Sequence, residues 1–418
     1  MHILFLTDNF PPEVNAPASR TFEHCREWVK AGHQVTVVTC APNFPGGKLF
    51  AGYRNRLFAR ETMDGIAVIR VWSYITANEG FLRRTLDYVS FMLTATPASL
   101  VVPRPDIVIA TSPQFFTACA GYLVSRLRRV PYVFELRDLW PESIRAVGAM
   151  RQSMVLDWLE RLELFLYRKA AVVVSVTNAF KANLVARGIA PEKIRVVTNG
   201  ADLSLFRPRP RDAALAEQLG LTDRFVAGYI GTHGMAHGLG TLLDAARLLQ
   251  DAGHDHIRLL FLGNGAAKAE LLARAAALEL DNVLFVDTVP KAEVVRYWSL
   301  LDVSIIHLRK AELFTTVIPS KLFECMAMGI PVLQGVRGES AAIVEAEQAG
   351  LAFEPENAAE LTDKLVALAR DPQRAQRFGV NGAAAAQKFD RRRLAAEMLQ
   401  IVVDQVPVRA GQSGDTAR

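Results

Sequence analysis

Short apolar, β-branched runs alternate along the chain with longer segments of helical periodicity. In the first half these runs lack the strict polar alternation of half-exposed strands, as is typical when helices cover both faces of a sheet. They are His2–Thr7, Gln34–Thr39, Ile107–Thr111, Tyr132–Leu136 and Val172–Val176. Alternating strands and helices predict parallel strands joined by crossover helices, so the pattern indicates an α/β fold with a doubly wound sheet.

The same pattern begins again after an aperiodic segment, residues 200–210, whose prolines disfavour both helix and strand. The second set of runs is Phe225–Ile230, Ile257–Leu262, Val283–Val286, Val303–Ile306 and Pro331–Leu333. We therefore predict an N-terminal domain over residues 1–205, a C-terminal domain over 206–388, and a helix and tail over 389–418 that can pack back on the first domain. Two such Rossmann-like sheets are expected to face a central cleft that binds the substrate.

Composition narrows the class of protein. The chain has 418 residues, 50% hydrophobic and 22% charged, which fits a soluble globular protein. The longest weakly polar stretch, residues 88–102, is shorter than the ~20 residues of a membrane-spanning helix. The N-terminus lacks the features of a secretion signal. The four cysteines of the chain are widely separated, so we expect the protein to reside in a reducing cytoplasm.

The clearest candidate ligand site opens the second domain. The run Phe225–Ile230 is followed by Gly231-Thr-His-Gly-Met-Ala-His-Gly-Leu-Gly240 and by a helix that starts near Thr241. A glycine loop between strand and helix lets backbone amides approach a ligand, and the helix dipole adds about half a positive charge there. The pattern favours a bound phosphate, although it matches neither a P-loop nor a dinucleotide fingerprint. An ordinary glycine-rich turn is the alternative.

Two further segments of the second domain extend this site. Gly263-Asn-Gly265 follows the run Ile257–Leu262 and repeats the strand–glycine–helix arrangement. Lys321 and Glu324 lie in the first turn of a predicted helix. A lysine there opposes the helix dipole, so we interpret Lys321 as the partner of an anion, against the alternative of a solvated lysine. We interpret Glu324 as the partner of the ribose hydroxyls, and the alternative is a surface glutamate.

In the first domain, two polar segments follow predicted strands. Asp8–Arg20 follows the first strand, and Arg137-Asp138-Leu-Trp140-Pro-Glu142 follows the run Tyr132–Leu136. Charged residues directly after a buried strand are typical of a functional site. Capping of the next helix is the alternative for the Arg137–Asp138 pair.

Signatures of several other chemistries are missing from the sequence. It has no Asp-x-Asp motif and no closely spaced cysteine pair, so we expect neither a metal ion nor another cofactor. His233 and His237 have the i, i+4 spacing of zinc ligands, but glycines interrupt them, and we assign both to the anion site. The absence of a Gly-x-Ser-x-Gly motif argues against an α/β-hydrolase.

Over nearly its whole length the sequence resembles glycosyltransferase family 4, whose members are retaining enzymes with the two-domain GT-B fold. The segments that carry the resemblance are Phe10-Pro-Pro-Glu13, residues 31–39, 105–109 and 194–206, the Gly231 and Gly263 turns, and residues 323–332. The resemblance implies that the second domain binds a nucleoside-diphosphate sugar and the first binds the acceptor. The combination of Arg137-Asp-Leu-Trp-Pro with Pro319-Ser-Lys-Leu-Phe-Glu324 resembles the subgroup of N-acetyl-L-fucosamine transferases from bacterial O-antigen and capsule gene clusters.

The resemblance also implies a set of donor-binding residues: Asn15, Ala16, Gly231, Thr232, His233, His237, Gly263, Gly265, Val289, Pro319, Ser320 and Glu324. Several of these depart from the family pattern. Asn15-Ala16 stands where members usually have two glycines, and Thr232 and His237 stand where an arginine and a lysine commonly hold the pyrophosphate. Thr316 replaces the first of two glutamates, which leaves Glu324. Lys321 is then expected to supply the missing cation.

We predict retaining transfer of a sugar, such as N-acetyl-L-fucosamine, from a UDP-sugar to a polyprenyl-diphosphate-linked saccharide during lipopolysaccharide O-antigen or capsule synthesis. The predicted catalytic residues are Lys321, which stabilises the leaving diphosphate, and Arg137 and Asp138, which orient the sugar and acceptor. Arg137 replaces a histidine that is frequent in the family. Two alternatives remain open: a UDP-sugar 2-epimerase of the same fold, and a nucleotide-sugar-binding protein that has lost catalysis.

The distribution of charge points to a membrane surface. The net charge of +5 is too small for a protein that coats nucleic acid. Residues 1–205 contain 24 Lys and Arg against 17 Asp and Glu, whereas residues 206–418 contain 24 against 26. The segment 81–93 carries apolar residues at helical spacing with Arg83 and Arg84 off that stripe, which suits an interfacial or a buried helix equally. We expect a cytoplasmic protein, peripheral on the inner face of the bacterial cytoplasmic membrane.

Overall fold

The computed structural model describes residues 1–44, 46–76, 81–139 and 154–407, with the side chains of residues 81 and 82 left out. The chain divides into two compact units. Residues 1–197 and the C-terminal segment from Leu394 form the first unit, and residues 198–393 form the second. The division at Val197 precedes the segment that the sequence suggests as a linker. Residues 200 and 201 already bond to residues 389–391 of the second unit.

The described residues of the first unit form one eight-stranded sheet. Its strands are β1 (His2–Leu6), β2 (Gln34–Cys40), β3 (Phe58–Met63), β4 (Ile66–Val71), β5 (Ile107–Thr111), β6 (Tyr132–Leu136), β7 (Val172–Ser175) and β8 (Ile194–Val196). Their order in the sheet is β3-β4-β2-β1-β5-β6-β7-β8. β3 is antiparallel to β4, and the other neighbouring pairs are parallel. The order reverses at β1 and β5, the point at which open sheets bind ligands.

Helices cover both faces of this sheet: α1 (Ala16–Lys30), α2 (Phe81–Leu100), α3 (Phe115–Arg128), α4 (Met154–Lys169) and α5 (Asn178–Ala186). Side chains alternate along each strand, so Ile3 of β1 packs in the same core as Trp28 of α1, and Leu4 packs in the same core as Phe91 of α2. The last helix of the described residues, Arg391–Val403, contributes to the first of these cores, where Trp28 Nε1 donates to the Ala395 carbonyl at 2.8 Å.

The second unit is built on a parallel sheet of order β11-β10-β9-β12-β13-β14. The strands are β9 (Phe225–Ile230), β10 (Ile257–Leu262), β11 (Val283–Val286), β12 (Val303–His307), β13 (Val332–Gly335) and β14 (Gly350–Ala352). The helices of this unit are α6 (Ala213–Gln218), α7 (Gly240–Asp251), α8 (Lys268–Ala277), α9 (Lys291–Trp298), α10 (Lys321–Ala327), α11 (Glu339–Ala346), α12 (Ala358–Arg370) and α13 (Pro372–Ala386). The helix Arg391–Val403, which packs in the first unit from Leu394 onward, is α14. The order of this sheet reverses at β9 and β12. The predicted doubly wound α/β class is confirmed.

Four strands were not predicted, namely β3, β4, β8 and β14. β3 lies at the sheet edge and alternates between exposed and partly buried positions, so it lacks the continuous apolar run of a central strand. β8 and β14 have three residues each, too few to produce a periodic signal. β4 is apolar apart from Arg70, and its run was missed.

On helix α2, the apolar residues that the sequence predicts along one stripe lie outside the core, as far as the structure describes them. Leu86 is 50% exposed and Leu93 is 64% exposed, whereas Asp87 and Phe91 on the other side of the helix are buried. Arg83 is exposed as well. The stripe is therefore available to another surface, while the opposite face of α2 packs on the sheet.

The helices in the described ranges were also compared with the dimensions of a bilayer. Within those ranges, no helix combines the length and the apolar character that crossing a membrane requires.

Candidate functional site

The glycine turns after β9 and β10 lie directly against each other. The Gly231 amide donates to the Leu262 carbonyl at 2.9 Å, and the His233 amide donates to the Asn264 carbonyl at 2.9 Å. The two segments that the sequence suggests for phosphate binding are thus brought together at the carboxyl end of the sheet, beside the reversal of strand order.

Backbone packing explains why glycine is needed after β10. A Cβ atom at Gly263 would lie 1.9 Å from the Gly231 carbonyl oxygen, and one at Gly265 would lie 2.5 Å from the His233 carbonyl oxygen. Both residues also have positive φ angles, +145° and +157°, which L side chains rarely adopt. These two glycines are therefore required for the contact between the turns, whether or not they also bind a ligand.

Lys321, the first residue of α10, brings a buried cation to these turns. Its Nζ atom lies 3.5 Å from the centroid of the Tyr229 ring and 2.8 Å from the position that a Cβ of Gly231 would take. Among the described residues, this buried Nζ atom has no hydrogen-bond partner. Burial lowers the pKa of Lys321 to about 7, although nearby Glu324 acts to raise it. An anionic ligand would supply the partner that the ammonium group lacks.

The two histidines of the Gly231 loop are neutral at pH 7. His233 is fully buried, with its ring centroid 5.9 Å from that of Tyr229 and 6.3 Å from that of Phe261. Burial, together with nearby lysines, lowers the pKa of His233 to about 4 and that of His237 to about 3. Neither imidazole adds a positive charge to the site, and a role of His233 in donor binding would be indirect. Thr232, by contrast, is exposed on the loop.

His307 at the end of β12 links this loop to the segment after β14, and the sequence analysis missed it. Its Nε2 accepts from the Glu356 amide at 2.9 Å, so its Nδ1 carries the proton and donates to the His237 carbonyl at 2.7 Å. Both ring nitrogens are therefore used in holding the loop. The available signal was a single histidine that ends an otherwise apolar strand, a pattern that spacing rules for metal ligands do not detect.

Lys268 is a second missed residue of this edge. Its Nζ donates to the carbonyl of Gly263 at 2.9 Å and to that of Val286 at 3.3 Å, and it also pairs with Asp287. It thus satisfies carbonyl groups where β10 and β11 end. Because these bonds occupy its ammonium group, Lys268 differs from Lys321 in having little capacity left for a ligand.

The remaining predicted donor residues lie around α10 and β11. Pro319, Ser320 and Glu324 are partly buried at the start of α10, and Val289 packs against the core of the second unit. A cavity of about 140 Å³ lies in the same unit, lined by the segment after β12 and the residues after β13. Its lining includes the basic side chains of Arg309, Lys310 and Arg337 together with Glu312, Phe314 and Thr315.

In the first unit, Asn15 caps helix α1. Its Oδ1 accepts from the Ala18 amide at 2.8 Å, and its Nδ2 donates to Asn9 Oδ1 at 2.5 Å. Asparagine is a favoured N-cap residue, so this position has a structural use besides any donor contact. Ala16 follows it as the first residue of the helix.

Arg137 holds the same loop from the end of β6. Its guanidinium donates to the carbonyls of Pro17 and Ala16, each at 3.1 Å. The amides of Arg137 and Asp138 both donate to Ser112 Oγ, at 2.8 and 3.2 Å. The structure therefore connects the two segments that the sequence suggests for the first domain, while Trp140 and Glu142 of that motif lie outside the described residues.

Comparison with known proteins agrees with this architecture. Residues 15–200 match the family described as "Glycosyl transferase 4-like domain", and residues 212–385 match "Glycosyl transferases group 1". The chain is 26% identical over 342 residues to the colanic acid biosynthesis glycosyl transferase WcaI of Escherichia coli, covering 79% of this chain and 82% of that protein.

Solved structures show the same fold. Sucrose-phosphate synthase from Thermosynechococcus elongatus superposes with a TM-score of 0.77 at 18% identity, over 96% of this chain and 98% of that one. The Anabaena protein HepE in complex with UDP superposes with a TM-score of 0.71 at 18% identity, over 97% and 100%. The fold is thus that of the GT-B class. The chain is a glycosyltransferase enzyme with a family 4-like domain followed by a group 1 domain.

Proposed function

We propose that this enzyme transfers a sugar from a UDP-sugar to a lipid-linked saccharide, with retention at the anomeric carbon. The observation that carries the donor assignment is Lys321, a buried ammonium group without a hydrogen-bond partner among the described residues, beside a glycine turn at the reversal of strand order. A diphosphate supplies the charge and the acceptor oxygens that this arrangement lacks. HepE, which has a similar fold, was solved in complex with UDP, and this supports UDP as the nucleotide.

The mechanism follows from the charge that develops on the leaving group. Negative charge accumulates on the diphosphate as the bond to the sugar breaks, and a fixed cation stabilises that state more than the ground state. Lys321 would supply this stabilisation, in the role that a metal ion has in other sugar-nucleotide enzymes. The amides of Gly231 and His233 do not add to it, because they donate to the Leu262 and Asn264 carbonyls. We expect the reaction to need no metal ion or other cofactor on this account.

Retention requires the new bond to form on the face that the diphosphate leaves. We propose that the acceptor hydroxyl attacks from that face while a phosphate oxygen of the leaving group accepts its proton. Arg137 then acts as a positioning residue, since its guanidinium holds the carbonyls of Ala16 and Pro17. Asp138 is proposed to orient the acceptor.

The biological setting is proposed from relatives. WcaI is named for colanic acid biosynthesis, which supports a role for the present enzyme in cell-surface polysaccharide synthesis. N-acetyl-L-fucosamine remains our proposal for the donor sugar, from the resemblance of the Arg137 and Lys321 motifs to that subgroup. The lipid-linked saccharide is proposed on the same basis.

Exposed apolar side chains of the first unit support docking on a membrane. Leu86 and Leu93 are exposed on α2, and Met154 and Trp158 are exposed on α4 together with Arg161. Apolar residues interspersed with arginine suit the headgroup region of an anionic bilayer. We therefore propose peripheral attachment to the inner face of the cytoplasmic membrane through this unit.

Membrane docking is tested by flotation with vesicles of phosphatidylethanolamine and phosphatidylglycerol. The wild type should float with the vesicles, and Leu86→Ser/Leu93→Ser should reduce the floated fraction severalfold. The matched control is Leu248→Ser, which changes an exposed leucine of the second unit. Wild-type protein that stays at the bottom of the gradient would contradict the docking proposal.

The donor assignment is tested by thermal-shift and calorimetric binding of UDP-, GDP- and dTDP-sugars. UDP-sugars should bind best, and Lys321→Ala should weaken UDP binding by about 10–100-fold, because a charge-assisted hydrogen bond contributes about 1.5–3 kcal/mol. Lys388→Ala, which removes an exposed lysine paired with Glu347, is the control. Unchanged UDP affinity in Lys321→Ala would remove this residue from the mechanism.

Reaction type is tested separately. Incubation with a UDP-sugar alone should leave the sugar nucleotide unchanged, and addition of a saccharide acceptor should produce glycosyl transfer with release of UDP. Formation of an isomerised sugar nucleotide without acceptor would instead indicate a 2-epimerase. A complete lack of turnover, with binding retained, would indicate a protein that binds sugar nucleotides without catalysis.

A further inference from the structure

Three carboxyl groups meet where the parallel strands of the first unit's sheet end, with Glu13 and Asp87 buried and Asp8 partly buried. Asp8 follows β1, Glu13 lies in the same loop, and Asp87 lies on α2. Glu13 is 4% exposed and Asp87 is 8% exposed. Burial raises the pKa of Asp87 to about 7, and burial with repulsion from Asp87 and Glu13 raises the pKa of Asp8 well above its usual range.

Each of these carboxyl groups has one oxygen left without a protein partner. Glu13 Oε1 accepts from the amides of Asn43 and Phe44, both at 2.8 Å. Asp8 Oδ2 accepts from the side chains of Asn9 and Gln114. Among the described residues, Asp8 Oδ1 and Glu13 Oε2 have no hydrogen-bond partner, and Asp87 Oδ1 makes no hydrogen bond of good geometry, although the nearby Ser73 side chain acts to lower the pKa of Asp87.

A neutral side chain provides an independent sign of a ligand site. Gln114 is 6% exposed, and its Nε2 donates to Asp8, but its Oε1 is also buried without a partner in the described part of the chain. Gln114 follows β5 as Asp8 follows β1, and the strand order reverses between these two strands. Open parallel sheets bind ligands at that point. Unsatisfied buried polar atoms are costly, so their convergence here argues for a bound partner.

Exposed aromatic residues adjoin the same region. Trp72 and Tyr74 follow β4, and both side chains are exposed. The Tyr74 amide donates to Ser90 Oγ at 2.7 Å, and Ser90 Oγ donates to the Asp87 carbonyl at 2.7 Å. Tyr74 is thus tied through its backbone to the helical turn that carries Asp87, and the Trp72 carbonyl accepts from Thr94 Oγ1, further along the same helix, at 2.7 Å. Exposed aromatic residues on segments linked to a carboxyl cluster suit a ligand with both apolar C–H faces and hydroxyl groups.

We propose that Asp8, Glu13, Asp87 and Gln114 form a subsite that binds the hydroxyl groups of a neutral acceptor saccharide. A hydroxyl group can donate to a carboxylate oxygen and to the buried amide oxygen of Gln114. A saccharide that carries its own carboxylate would be repelled by this cluster. The inference rests on the proposed glycosyl transfer and adds the residues and the chemical class of the acceptor.

Binding of hydroxyl donors also implies a dependence on pH. Donors stabilise the ionised carboxylate, so binding should lower the pKa of Asp87 and weaken as the pH falls below about 7. The charged and titratable groups that face the cluster are Arg84 and Tyr88 of α2, Arg70 of β4 and Cys40 of β2. Burial raises the pKa values of Tyr88 and Cys40, so neither titrates between pH 5.5 and 7.5.

The test uses the full-length protein on an array of oligosaccharides that end in a neutral hexose, an amino-hexose or a hexuronic acid. Neutral termini should bind best, and Asp87→Asn and Asp8→Asn should each weaken that binding by about tenfold or more. Asp64→Asn, which changes an exposed carboxyl group in the turn after β3, is the matched control and should bind as the wild type does. UDP binding, measured on the same samples, should be unchanged in all three variants.

Several outcomes would overturn the subsite. They are preferential binding of hexuronic acids or amino-hexoses, neutral binding that survives both substitutions, or binding of Mg²⁺ or Mn²⁺ that Asp87→Asn abolishes. If a variant fails to fold, wild-type affinity for the neutral glycan between pH 5.5 and 7.5 decides: a severalfold loss towards low pH supports the subsite, and a flat profile refutes it. A wild-type protein that does not bind UDP would count against the proposed function instead.

Discussion

Binding of UDP should be coupled to proton uptake by Lys321. In the free enzyme the pKa of this lysine is about 7, because its ammonium group is buried beside the Tyr229 ring. A bound diphosphate stabilises the charged form and would raise that pKa towards its ordinary value. Only the protonated enzyme then binds tightly, so the apparent affinity falls as the free enzyme loses its proton.

The expected size follows from the fraction protonated. Half of the free enzyme carries the proton at a pH equal to the pKa of about 7, and about 1% does so two units higher. The Kd for UDP should therefore rise by about 50-fold between pH 7 and pH 9, equivalent to about 2.3 kcal/mol. The phosphate groups of UDP complete their own ionisation near pH 6, below this range.

Other groups around Lys321 do not titrate in the same range. The pKa values of His233 and His237 are lowered to about 4 and about 3, while burial raises that of Tyr229 well above its usual value and that of Cys325 to about 12. Between pH 7 and pH 9, Lys321 is thus the group among these five whose protonation changes.

Isothermal titration calorimetry in buffers of different ionisation enthalpy measures both the affinity and the protons taken up. Wild-type uptake should be about half a proton at pH 7 and approach one at pH 9. Lys321→Gln should bind more weakly at pH 7 with a flat profile, and Lys321→Arg should also give a flat profile because arginine stays charged. A Lys321→Gln variant that keeps the wild-type slope would refute the reasoning.

Three further results are expected from thermal or chemical unfolding. Lys321→Met should raise the Tm of the free enzyme below pH 7, since the folded-state pKa is lower than the unfolded one, and this advantage should fade as the pH rises from 7 to about 10.5. Gly263→Ala should lower stability by several kcal/mol, because its Cβ would meet a carbonyl oxygen at 1.9 Å, whereas Gly253→Ala, also at positive φ but in open space, should cost only about 1 kcal/mol. Arg20→Met should cost about 3–5 kcal/mol by leaving Glu135 buried without its partner at 2.8 Å, and adding Glu135→Gln should recover part of that loss.

The fold could be predicted because central parallel strands must be apolar on both faces. Nine of the ten predicted runs lie within a residue or so of strands in the structure, as β9 and β10 illustrate with identical bounds. Strands that lie at an edge or extend over three residues do not have to meet this requirement. β3 and β14 were missed for that reason.

The candidate donor site could be located but not fully resolved from the sequence. Glycines after consecutive strands and a lysine at a helix start are local signals, and parallel connectivity brings such strand ends together. Whether a loop side chain is buried cannot be read from the neighbouring residues. His233 lies in the same loop as Gly231, but its ring is buried inside the unit. His307 reaches the His237 carbonyl from 70 residues away, a contact that only the order of strands determines.

Each unit places an ionisable group of a different kind where the strand order of its sheet reverses: a lysine in the second unit and carboxyl groups in the first. The second unit holds Lys321 without a hydrogen-bond partner among the described residues, and the first holds oxygens of Asp8, Glu13 and Asp87 that are likewise unpaired there. Burying an ionisable group without a partner lowers stability, so each arrangement costs the free enzyme. Such a loss of stability is offset when a ligand provides the missing partner. The chemistry of the unpaired group then indicates the ligand: an ammonium group suits an anionic sugar nucleotide, and carboxyl groups suit a polyhydroxylated acceptor. We infer that these unpaired groups, rather than the shared α/β framework, give each unit its substrate.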